Sequence, residues 1–315
     1  MTTSADLSIS MLIKDKAREL GFDLCGIAHS RSLNEREAIL KNWCSEGMNA
    51  GMGYLSRDIE KRINPEILVP GAKSLIVTGL SYYTNKQQRE PGVPILSRYA
   101  FGENYHDVIK RKLDKLFLYI KSIKPETIGR VFVDSAPLLE KAWAVEAGLG
   151  WQGRHSIVIN KELGSFFFIG TLILNIDLDY DSPVTEESCG NCRSCIDLCP
   201  TAAINENHTI DARKCIANLT IENRGPVPED IIPRIGSRVY GCDRCQEVCP
   251  WNNDAKPHSN PEFDLPAEIE TMKKEDWINL SEDNFNRLFK GTAIERRKYE
   301  PFMRNVTDVT KSINR

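Results

Sequence analysis

What the chain lacks narrows its reading first. Cysteine is nearly absent from residues 1–188, where only Cys25 and Cys44 occur. Long apolar runs are missing too: the most apolar window, "FFFIGTLILNI" (Phe166–Ile176), is too short to cross a bilayer. The N-terminus, "MTTSADLSISMLIKDKAREL", has charges inside its apolar stretch, no basic-then-apolar order and no twin arginine, so it does not read as an export signal. Nor does one sign of charge dominate. A net charge of −3 argues against wholesale coating of nucleic acid, while a local basic face remains open. These absences predict a cytoplasmic protein with no membrane partner.

The composition is that of a globular protein, 41% apolar and 27% charged over 315 residues, enough chain for about two domains. In a reducing compartment the ten cysteines are not a disulfide framework. Eight of them crowd between Cys189 and Cys249. "CGNCRSCIDLCP" (Cys189–Pro200) has the spacing C-x2-C-x2-C-x3-C-P, and "VYGCDRCQEVCPW" repeats its last three cysteines as Cys242, Cys245 and Cys249. Val239 stands where a fourth would complete the copy, and Cys215 makes up the number.

This is the arithmetic of two 4Fe-4S clusters, in which each run sends its last cysteine to the other cluster. Cys189, Cys192, Cys195 and Cys249 then hold one cluster, and Cys199, Cys215, Cys242 and Cys245 the other. Structural zinc is the competing reading. Zinc sites use isolated C-x2-C pairs separated by longer loops, which three successive cysteines followed by x3-C-P do not suit. Cys25 and Cys44 read as small buried hydrophobes.

Around the cysteines the pattern mixes helix and strand. "MLIKDKARELG" and "YHDVIKRKLDKLFLYIKSI" have helical spacing; "AKSLIVTGLSYY", "GRVFVDS", "HSIVIN" and "SFFFIGTLILNI" read as strands. The expected class is α/β or α+β. Three parts follow: an α/β domain over 1–180, a two-cluster ferredoxin-like domain over 181–258 opening with the polar linker "DSPVTEES", and a helical segment over 259–315. "GLGWQG" (Gly148–Gly153) matches G-x-G-x-x-G, but a helix precedes it and a strand follows, the reverse of a dinucleotide-binding fingerprint. Gly148 reads as a helix cap, and the rest as a loop that lets a ligand approach the backbone.

Two clusters deliver electrons singly, and a large α/β domain before them suggests an electron acceptor there. The five histidines are scattered, and no D-x-H-x-x-G stretch offers a histidine to a corrinoid. On residues alone the reading stops at an iron–sulfur oxidoreductase.

"VDSAPLLEKAWAVEAGLGWQGRHSIVIN", the two cysteine runs, "YLSRDIEKRINPEILVPGAKSLIV" and "LSRYAFGENYHDVIKRKL" together resemble the epoxyqueuosine reductases, from about residue 9 to 310. The resemblance implies reduction of an epoxide on the wobble nucleoside of tRNA to the alkene, the last step of queuosine synthesis. It also implies cobalamin without a protein histidine ligand, bound by the first domain, and two 4Fe-4S clusters fed by an unidentified electron donor. Asp134 matches the family's proton donor, a carboxylic acid whose pKa an apolar site would raise. By position alone Asp134 would be a helix cap, a task that Ser135 could also perform.

The same likeness implies cobalamin contacts from Arg57, Ser97, Asp134, His155, Ser156, Val158, Cys242 and Asp243. The bland roles are a surface ion pair for Arg57, strand packing for Val158 and core packing for Tyr105 and Trp151. For tRNA, Asn223 and Arg224 are candidates, together with Arg296, Arg297 and Lys298 in a C-terminal stretch of net positive charge. That stretch could equally be a solvated helix face. Two rivals compete with the tRNA enzyme. One is a reductive dehalogenase-like enzyme acting on a small molecule; the other is a ferredoxin-like carrier, which leaves the first domain without a purpose.

Overall fold

The computed structural model describes residues 8–313. Among them run eight strands: β1 (Leu24–His29), β2 (Ser74–Ser81), β3 (Ile95–Leu96), β4 (Gly129–Phe132), β5 (Trp151–Gln152), β6 (Val158–Ile159), β7 (Phe167–Leu174) and β8 (Arg238–Tyr240). The main sheet has the order β1-β2-β7-β4, with every neighbouring pair antiparallel. The architecture is mixed α and β, with helices laid over an antiparallel sheet.

β2 is buried along its whole length. Its side chains alternate between two cores. Ile76 and Leu80 meet Ile13, Ile109 and Leu113 from the helices Ile9–Glu19 and Tyr105–Ile123. Leu75 and Val77 meet Trp143 and Leu149 on the opposite face. A strand covered on both faces needs apolar residues consecutively rather than alternately, which "SLIVTGLS" and "FFIGTLIL" provide. Each fully buried Leu or Ile contributes roughly 1.5–3 kcal/mol. Of the expected strand "HSIVIN" the two residues of β6 pair with β5, and Asn160 adds a single bridge to Gly164.

Helix Tyr105–Ile123 positions the site. Its N-cap, Asn104, accepts from the His106 amide at 3.2 Å. Its apolar stripe packs on β7 where Gly170 leaves room: a Cβ there would stand 2.5 Å from Ile109 Cγ2. β4 pairs with β7 so that Phe132 lies opposite Thr171. The end of β4 and the start of this helix therefore face one another.

In the cysteine region two single-turn helices, Ser194–Asp197 and Arg244–Glu247, one from each run, pack together. β8 lies parallel to β3, and Val239, in the place of the missing cysteine, is a fully buried core residue of β8. The C-terminal helices contribute Trp277, Phe285, Phe302 and Val306 to one core with Ile216, Leu219, Val239 and Tyr240. Segment 259–313 thus shares its main core with the cysteine region. The apolar stripe of Tyr299–Ile313 is visible in sequence, but not its partner.

Candidate active site and cluster ligands

Asp134 stands just beyond β4, in the left-handed region with φ 55°. The Ser135 amide donates to the Val133 carbonyl at 2.5 Å, closing a tight three-residue turn around it. Tyr105 Oη donates to Asp134 Oδ2 at 2.5 Å, and His106 Nε2 lies 3.4 Å from the same oxygen. The Asp134 amide is received by both carboxylate oxygens of Glu140, each at 2.9 Å. Asp134 borders a cleft of about 310 Å³ with Met52, Tyr99, Asn218, Glu222 and Arg296. Its side chain keeps 62% of its exposure there.

The electrostatics depart from expectation. Although the Asp134 carboxyl opens to the cleft, the protein crowded around it is the largest influence and pushes it up; hydrogen bonds from His106 and Tyr105 and the charges of His106 and Arg296 outweigh this and hold it below the usual range. The expected elevation by an apolar site falls on its neighbour. Glu140 is pushed up to about 8 by burial and then by the Asp134 charge. Lys141 reaches solvent yet is lowered by the protein packed around it, and its charge, after burial of the ring, helps to bring His155 down to about 4.

His106 carries a further constraint. Asn104 Oδ1 already accepts the His106 amide, so the ring's Nδ1, 2.9 Å away, serves as its donor. The contact between Nε2 and Asp134 then requires a proton on one partner or the other.

The cysteine charges sort into two groups. After burial, Cys195 feels Cys249, Cys189 and Cys192, and Cys249 feels Cys189 and Cys192. Cys245 feels Cys242 and Cys215 first and, less strongly, Cys195 from across the two groups, and Cys215 feels Cys199. Burial pushes Cys195 up to about 11 and Cys242 up to about 12. Such thiols ionise readily only beside a strongly positive centre, which suits metal ligation.

Residues 188–252 match the family model described as a 4Fe-4S double cluster binding domain, and residues 62–135 match the one described as Epoxyqueuosine reductase QueG, DUF1730. The epoxyqueuosine reductase of Cellulophaga algicola is 43% identical over 94% of this chain and 96% of its own. The chain belongs to the epoxyqueuosine reductase family. An epoxyqueuosine reductase solved with an epoxyqueuosine-modified tRNA stem loop superposes with a TM-score of 0.89, at 31% identity, over 96% of this chain and 80% of that one. The Bacillus subtilis enzyme superposes at 0.87, with 29% identity, over 96% and 81% of the two chains. Its structure is described with an Asp134 catalytic loop swung out of the active site.

In this chain the candidate cobalamin contacts fall into two groups. His155 is buried on the β5–β6 loop, with Nδ1 accepting from the Ile157 amide at 3.2 Å and Nε2 without a partner. Ser156, at φ 64°, accepts from Gln152 Nε2 at 2.9 Å, and Val158 is buried in β6. An orphaned ring nitrogen near Lys141 fits a large polar cofactor. Ser97 and Asp243 are instead committed to each other: Ser97 Oγ donates to Asp243 Oδ1, and the Arg98 amide to Oδ2 at 2.8 Å. Gly241, at φ 76°, permits this approach, since a Cβ there would lie 2.5 Å from Ser97 Cβ. Cys242 follows directly. Arg57 is exposed and meets Arg62 only through its carbonyl.

Of the tRNA candidates, Arg296 is exposed, pairs with Glu222 and borders the cleft. Arg297 departs from expectation. It is 7% exposed, its Nη1 donates to the Ile221 carbonyl at 3.1 Å, and burial followed by the Arg304 charge lowers it to about 10. Lys298 and Arg224 are exposed. The Asn223–Gly225 turn is gripped through its carbonyls by Arg304. Sequence reasoning did not single out Glu140, Lys141, His106, Glu222 or Arg304. Glu140 would have read as an ordinary first-turn acid, and the rest carry no local signal.

Proposed function

We infer that the protein reduces epoxyqueuosine to queuosine at the wobble position of tRNA, with Asp134 as the proton donor. The observation that carries this reading is the convergence of Tyr105 and His106 on the Asp134 carboxylate at the edge of an open cleft. Epoxide reduction to an alkene consumes two electrons and two protons and releases water. Cobalamin reduced through two 4Fe-4S clusters would supply electrons to the strained C–O bond. Asp134 delivers a proton to the oxygen as it departs, and the proton shared with His106 can restore it. Tyr105 holds the carboxylate in register. His155, Ser156 and the backbone at Val158 would hold the cofactor, with Lys141 beside it, while Ser97 and Asp243 fix the chain next to Cys242.

The cluster ligands proposed are Cys189, Cys192, Cys195 and Cys249 for one centre, and Cys199, Cys215, Cys242 and Cys245 for the other. The domain holding cobalamin spans 1–180, and the cluster domain 181–258 is buttressed by 259–315. Arg296, Lys298, Asn223 and Arg224 would face the tRNA, whose wobble nucleotide must leave its stack to reach the cleft. No described helix is long and apolar enough to cross a membrane, and the cytoplasm is the proposed location.

The test is anaerobic incubation of cluster-loaded protein with epoxyqueuosine-containing tRNA and a strong reductant, with and without cobalamin, followed by mass spectrometry of the nucleosides. Queuosine formed only with cobalamin supports the reading. Its absence with both cofactors bound refutes it.

A further inference from the structure

We propose that Glu140 is the positioning residue of this site: its carboxylate grips the Asp134 amide and so keeps the proton-donating turn inside the cleft. The proposal rests on the reading of Asp134 as proton donor.

The turn does not hold itself. Asp134 has a left-handed backbone, φ 55°, which a non-glycine residue holds mostly where its surroundings impose it. The contact that closes the turn, Ser135 amide to Val133 carbonyl, leaves the Asp134 amide pointing away without a strand partner. β4 has already ended at Phe132, two residues earlier. Glu140 meets this amide with both oxygens at 2.9 Å, from the first turn of the helix Glu140–Glu146. That helix is anchored by Ala142, Trp143 and Ala144 in the core, so the carboxylate is presented from a fixed base.

The arrangement separates two tasks. Tyr105 and His106 hold the carboxylate of Asp134, whereas Glu140 holds its backbone. Losing Glu140 therefore frees the turn without removing any group that touches substrate. The Asp134 amide makes its hydrogen bond to this side chain, and truncating Glu140 breaks it. Its loss should allow the turn to leave the cleft and lower the rate about 10- to 100-fold.

The decisive measurement is hydrogen–deuterium exchange over residues 130–139 of the holoenzyme, read beside single-turnover rates on epoxyqueuosine tRNA. Glu140→Ala should exchange faster than wild type in that segment alone. It should lose 10- to 100-fold in rate while retaining tRNA affinity and the absorbance of its cofactors. Glu140→Gln, which keeps an acceptor oxygen, should restore slow exchange and most of the rate. In an Asp134→Asn background, Glu140→Ala should cost little more. Unchanged exchange in Glu140→Ala overturns the proposal whatever the activity. Faster exchange with no queuosine from wild type would leave the latch standing and refute the reading of the reaction.

Discussion

The hydroxyl of Tyr105 lies 2.5 Å from Asp134 Oδ2 and donates to it, while the ring of Tyr105 stacks on Phe168 with centroids 4.4 Å apart and planes within 3°. One residue is thus both core aromatic and active-site donor. Tyr105→Phe keeps the stacking and removes the donor. Since that hydrogen bond helps to hold Asp134 low, its loss raises the Asp134 pKa. The protonated acid then persists to higher pH, so the Asp134 limb of the kcat/KM profile shifts upward in pH while the maximum falls about tenfold. A limb that moves down or stays fixed would show that Tyr105 does not tune the acid.

Glu140 titrates in the opposite sense. Its folded value, about 8, exceeds the ordinary 4.5 because burial and the Asp134 charge favour the neutral form. Relative stability from this group is fully present below about 4.5 and is lost as pH rises through about 8. Glu140→Gln removes that loss. Its Tm should exceed wild type at pH 8.5, with the difference closing as pH falls towards 4.5. An equal difference at both ends would place the cause elsewhere.

The crossed cysteine sets make a separable prediction. Cys249→Ser should disable the centre containing Cys189, Cys192 and Cys195, and Cys215→Ser the one containing Cys199, Cys242 and Cys245. Each variant should drop from about eight irons to about four, with a different cluster surviving in the electron paramagnetic resonance spectrum. The same surviving spectrum from both variants would refute the crossing.

Adjacent arginines should differ. Arg296→Ala should weaken tRNA binding and lower the slope of log affinity against log salt by about one. Arg297→Met should leave that slope unchanged and alter Tm instead, because its guanidinium faces the Ile221 carbonyl. A slope change from Arg297→Met would mean that it reaches phosphate after all.

These contrasts show what the sequence could carry. The two-cluster domain was legible because ligand spacing within each run is set by a few covalent bonds, while the division of the cysteines between the clusters, with Cys215 in the place of a fourth, stays a proposal. The strands were legible where burial on both faces wrote near-continuous apolar runs, as in β2 and β7. Asp134 was legible through family likeness, yet the sign of its pKa shift was not, because Tyr105 and His106 meet it across 29 and 28 positions of chain. Arg296 and Arg297 are neighbours with identical charge, and only the folded chain shows that one pairs with Glu222 at the cleft while the other turns in to the Ile221 carbonyl.

The most direct test compares Asp134→Asn with wild type in a single turnover on epoxyqueuosine tRNA, at matched cluster and cobalamin content. Loss of a general acid predicts a rate about 10²- to 10⁴-fold lower with tRNA affinity retained. A rate within a few-fold of wild type would contradict the account, because the proton would then come from elsewhere.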